Sequence, residues 1–73
     1  MQPDTTSRMA LCVNGERAET RAGTLAELIA SLGFREHEVA TAVNGNFVPR
    51  PARSATLLAE GDKVEIVAPR QGG

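Results

Sequence analysis

The sequence predicts an α+β fold in which one helix packs on one face of a mixed sheet of about five strands. Three observations predict it. Two Asn-Gly dipeptides, Asn14-Gly15 and Asn44-Gly45, each sit between short strand-like runs. Asn-Gly is a strong short-range hairpin signal, because a type I′ turn needs positive φ at both central residues. Between the hairpins, Leu25, Leu28, Ile29 and Leu32 fall at i, i+3, i+4 and i+7, one apolar stripe on a helix. After the second hairpin, Lys63–Ala68 (KVEIVA) reads as one more strand. A single short helix buries little alone, so its stripe must lie on the sheet.

Each element has its own signals. Met1–Ser7 (MQPDTTS) has no periodic apolar pattern, and residues 1–8 are read as a flexible extension. Met9, Leu11 and Val13 alternate with Ala10 and Cys12 as the first strand, and the polar run Glu16–Arg21 returns as a second strand at a sheet edge. Thr24 and Glu27 form a T-x-x-E capping box, and Gly33 supplies the left-handed stop of the helix. A charged connection, Arg35 to Glu38, leads into a third strand, Val39–Val43. A fourth, Asn46–Val48, is halted by Pro49 and Pro51, which cannot donate to a ladder. Ala52–Ala59 is a long connection with room for one irregular helical turn, and Glu60-Gly61-Asp62 turns the chain into the last strand. Sequential pairing within each hairpin leaves that strand to fill the middle, parallel to the first. This is the β-grasp (ubiquitin-like) arrangement, with the domain over 9–68 and a flexible tail over 69–73.

Size and composition narrow the function. Seventy-three residues make one domain with a core near the lower limit of what folds without staples. A net charge of -1, with Lys and Arg scattered, gives no basic surface for nucleic acid. No run approaches the ~18–20 apolar residues of a membrane span, and the polar start has no secretory core. The expected setting is the cytoplasm, and the single Cys12, with no internal disulfide partner, agrees. Cys12 is expected to be a small core residue on a central strand, and His37 a solvated loop residue. One Cys and one His make no zinc site, and no nucleophile–base pair or paired carboxylates suggest an enzyme.

Several local patterns then coincide with one family. Val13-Asn14-Gly15, the helix opening Thr24-Leu25-Ala26-Glu27-Leu28, AVNGNFVPR (Ala42 to Arg50), GDKVEIV (Gly61 to Val67) and the terminal Gly72-Gly73 cover most of the chain from Met9 onward. In these the chain resembles the ThiS-type sulfur carriers of thiamin biosynthesis. Here the tail reads PRQGG, where other ThiS-like chains carry more apolar residues before the glycines. The molybdopterin-synthase small subunit, a carrier of the same fold, is less similar. A ubiquitin-like modifier, whose Gly73 would end in an isopeptide bond, shares the same tail chemistry.

The resemblance implies a carrier and not an enzyme. It binds no cofactor of its own. An E1-like adenylyltransferase (ThiF-like) uses MgATP to convert the Gly73 carboxylate to an acyl adenylate. A persulfide donor, a cysteine desulfurase or a rhodanese-like domain, then supplies the sulfur of a thiocarboxylate. A thiazole synthase (ThiG-like) receives that sulfur. Extended, Pro69 to Gly73 reaches about 16–18 Å; Gly72 and Gly73 suit a narrow channel, with Gln71 and Arg70 presenting them and Arg70 placed to meet an acidic wall. If Val39, Thr41 and Val43 face the helix, strand alternation turns Ala40 and Ala42 outward, and likewise Glu65 and Val67. Ala40, Ala42 and Val67, extended by Phe47, then form an apolar patch on the open sheet face, a candidate docking surface.

Overall fold

In a computed structural model of the chain, residues 8–68 are described. The order is β1 (Met9–Val13), β2 (Glu16–Thr20), α1 (Leu25–Ser31), β3 (Ala40–Val43), β4 (Asn46–Val48) and β5 (Lys63–Val67), with 3-10 turns at Glu36–Glu38 and Arg50–Ala55. The five strands form one sheet in the order β2-β1-β5-β3-β4. Both hairpins are antiparallel, β5 runs antiparallel to β3, and β1 and β5 are parallel. The mixed sheet, the edge position of β2 and the central last strand are those the sequence predicts. Of the expected extension (residues 1–8), residues 1–7 lie outside the described residues, as does the tail (69–73); Arg8 is exposed, its Nη1 3.4 Å from Glu19 Oε1.

One face of the sheet and α1 enclose the core. Leu25, Leu28 and Ile29 from the helix meet Leu11, Val48, Val64 and Ile66 from the strands, with Ala22, Val39 and Leu58 closing the edges. Thr41 is also buried, its hydroxyl donating to the Val48 carbonyl (2.9 Å). Thr24 caps the helix by accepting from the Glu27 N–H (3.2 Å). Its partner departs from the expected box: Glu27 Oε1 reaches past Thr24 and takes the Gly23 N–H (2.7 Å).

The helix stripe is one residue shorter than predicted. The helix ends at Ser31, and Leu32 is 45% exposed. At the stop, Gly33 adopts φ +87°, the Phe34 N–H donates to Ile29 (3.1 Å) and the Gly33 N–H to Ala30 (3.0 Å). This is a Schellman closure. It swings the chain out of helical register, so Phe34, not Leu32, packs against the core.

Other boundaries shift for local reasons. Val39 drops out of β3 because its carbonyl accepts from Arg53 Nη2 (2.6 Å). Arg21 falls outside β2, which ends at Thr20, whose hydroxyl accepts from the Ala22 N–H (3.0 Å) and turns the chain. Ala68 falls outside β5, whose last pair is Val67 with Ala40. The helical turn expected within 52–59 begins earlier, at Arg50, with Pro51 in its first turn. Beyond it Leu57 forms an isolated bridge with Thr24. Arg53, which nothing in the sequence marks as internal, is 3% exposed. Its Nε donates to Thr41 Oγ1 (3.0 Å) and its Nη1 to the Glu36 carbonyl (2.7 Å), so three acceptors surround the buried guanidinium. It ties both 3-10 turns to β3.

Candidate functional site

The site is assembled around the C-terminal end of β5. Val64 and Ile66 point to the helix and are buried; Glu65 and Val67 point to the open face. Register places Ala42 between Phe47 on β4 and Glu65 on β5, and pairs Ala40 with Val67. Ala40, Ala42, Phe47 and Val67 therefore share one face, as alternation predicts. Phe47 is 70% and Val67 61% exposed. With Thr41 and Glu65 they line a shallow depression of about 130 Å³. That is far below the ~300 Å³ where ligand pockets begin. A wider open hollow, about 510 Å³, lies on the helix side between Ala26, Glu36, Arg50, Pro51 and Ser54. There Arg50 Nε already meets the Glu36 carboxylate (3.5 Å).

Two asparagines fasten β5 to its neighbours. Asn14 and Asn44 both adopt left-handed φ, 51° and 52°, as type I′ turns require. The Asn44 N–H donates to the Lys63 carbonyl (2.7 Å), its Oδ1 accepts the Lys63 N–H (2.9 Å) and its Nδ2 donates to Asp62 Oδ1 (3.0 Å). Asp62 Oδ2 meanwhile accepts the Ala59 N–H (2.8 Å), closing the Gly61-Asp62 turn. Asn14 acts at the other end, where Nδ2 donates to the Ile66 carbonyl (3.1 Å) and Oδ1 accepts the Ile66 N–H (2.8 Å). The segments AVNGNFVPR and GDKVEIV are thus neighbours, joined through Asn44 and Asp62.

Cys12 corrects the sequence reading. It pairs with Arg17 and Lys63, lies on the open face and is half-buried, outside the core. The reason is the phase of β1: Leu11 takes the helix side, so Cys12 takes the other. His37 is exposed in the Glu36–Glu38 turn, its Nε2 3.7 Å from Glu38 Oε2. Among the described residues no group of three His, Cys, Asp or Glu comes together to hold a metal, and no helix is long and apolar enough to cross a membrane.

Of the expected site, the structure brings Ala40, Ala42, Phe47 and Val67 together. Arg70, Gln71, Gly72 and Gly73 lie outside the described residues. The clamping roles of Asn14 and Asn44 were not visible as such: the Asn-Gly dipeptides signal turns, and only the fold shows where the amides reach. The buried Arg53 left no signal, because it lies in a stretch with no apolar period.

Comparison with known proteins adds a family to this geometry. The model of the ThiS family matches residues 7–73. The crystal structure of a thiamine biosynthesis protein (ThiS) from Geobacter metallireducens is 32% identical, with a TM-score of 0.73, covering 89% of this chain and 100% of that one. A solution NMR structure of a thiamine biosynthesis protein from Geobacter metallireducens is likewise 32% identical, with a TM-score of 0.74, covering 89% of this chain and 88% of that one. No curated protein matches the chain.

Proposed function

The chain belongs to the ThiS family, the sulfur carriers of thiamin biosynthesis, and from that premise we propose that it carries sulfur on the carboxylate of Gly73. A carboxylate is a poor acyl electrophile, being negative and lacking a leaving group. An E1-like adenylyltransferase with MgATP removes the charge and installs AMP as the leaving group, forming the acyl adenylate and releasing pyrophosphate. The terminal sulfur of a persulfide, held on a cysteine desulfurase or a rhodanese-like domain, attacks the acyl carbon and displaces AMP. A second thiol cleaves the resulting S–S bond, leaving a disulfide on the donor side and the thiocarboxylate on the carrier. The thiazole synthase takes that sulfur.

The observation that carries this reading is the family match over residues 7–73, taken with the place of β5. A central strand held on both sides leads toward residues 69–73, and the apolar face of Ala40, Ala42, Phe47 and Val67 lies beside its end. We assign partner docking to that face, with the arm entering the partner while the body stays outside. The protein is then a cosubstrate: its reactive atom is its own, and the catalytic groups belong to its partners. Deleting Gly73 tests this in the parent organism. Thiamin auxotrophy is the expected result; retained prototrophy would overturn the assignment.

A further inference from the structure

The double contact between Asn14 and Ile66 does more than close a turn. Backbone groups along a strand point alternately to its two neighbours. On β5, Lys63 faces the β3 side, because its carbonyl accepts from the Asn44 N–H. Asp62 and Val64 face β1, accepting from the Cys12 and Asn14 N–H groups (both 2.9 Å). Ile66 is next in that series and also faces β1, yet β1 ends at Val13 and the chain turns away at Asn14-Gly15. The Asn14 side chain fills the gap, offering one donor and one acceptor to the N–H and C=O of Ile66. An amide is the side chain that supplies both in the spacing of a peptide group. It extends the β1–β5 ladder beyond the last backbone partner, three residues before Pro69.

We propose that Asn14 is a positioning residue for the sulfur-carrying arm: its amide holds the β1 side of β5 at Ile66, one residue before the strand's last pair with Ala40, and so sets the direction in which the arm leaves the sheet. The proposal rests on the carrier function assigned above. Without the amide, Ile66 loses its partner on the β1 side and the end of β5 is held through its pairing with β3 alone, so the direction in which the chain leaves the sheet is less tightly set. An error of even ~1 Å at a reacting carboxylate can cost on the order of 100-fold in rate. Val67 stays paired with Ala40 whether or not Asn14 keeps its amide, so the docking face is preserved and loss of the clamp strikes turnover while leaving affinity alone.

The test uses two variants of the full chain that keep the left-handed turn. Asn14→Gly removes the amide; Asn14→Asp keeps the acceptor but sets a carboxylate against the Ile66 carbonyl. Backbone amide exchange is read on the free protein, and acyl-adenylate formation with the E1-like enzyme and MgATP. In Asn14→Gly, exchange at Ile66 should accelerate by about tenfold or more while Leu28, and Val67 on its ladder with Ala40, stay protected. The kcat for adenylation should fall about tenfold or more, with KM within about twofold of the wild type. Asn14→Asp should fall between the two. Unchanged exchange at Ile66, acceleration spread equally to Leu28, an unchanged kcat, or an effect on KM alone would each overturn the proposal. A wild-type chain that forms no acyl adenylate would remove the carrier function and, with it, the positioning role. That case is distinguishable, because the exchange arm reads the clamp without any partner.

Discussion

Beneath the helix, the sheet presents Leu11, Thr41, Val48, Val64 and Ile66, all buried; on its other face, the same strands present Ala40, Phe47 and Val67 to solvent. Strand alternation generates both faces from one sequence, so adjacent residues such as Ile66 and Val67 carry opposite duties. The helix-side residues hold a small domain together, and substitutions there act on stability. The open-face residues are exposed, and under the proposed docking role substitutions there should act on partner binding and leave folding nearly unchanged. An apolar face kept exposed in a domain this small has a use other than folding.

The comparison breaks most sharply at Leu28, buried between helix and sheet. Leu28→Ala should destabilise the protein by about 3 kcal/mol through lost transfer energy and the cavity left behind. That lowers the melting temperature by about 12–24 °C, read in a thermal melt. Arg53→Ala comes next. It removes a guanidinium that satisfies three acceptors, two of them buried, and should cost about 2–3 kcal/mol in urea unfolding. Phe47→Asp reverses the pattern. Stability should stay within about 0.5 kcal/mol, while KM for the adenylating enzyme rises about tenfold, or ~1.4 kcal/mol. A Phe47→Asp chain that melts early but docks normally would show that the open face is structural after all.

The fold was legible because its signals are local and redundant. Asn14-Gly15 and Asn44-Gly45 marked the hairpins, Thr24 and Gly33 bracketed the helix, and period-two alternation separated Val64 and Ile66 from Glu65 and Val67. What escaped depends on contacts far apart in sequence. The Asn14 amide finds Ile66 only once β1 and β5 are side by side, and Arg53 is buried only because two 3-10 turns and β3 close around it. Cys12 was misplaced because a central strand suggests burial on both faces, whereas this sheet carries its helix on one. The apolar open-face patch was legible for the opposite reason, since it follows from alternation and pairing alone.

The most direct measurement is the intact mass of the full chain after incubation with the E1-like enzyme, MgATP and a persulfide donor. The carrier function predicts a gain of about 16 Da, one carboxylate oxygen replaced by sulfur, abolished by removal of Gly73. A chain that keeps its mass, or that appears instead as ladders of lysine-linked conjugates, would contradict it.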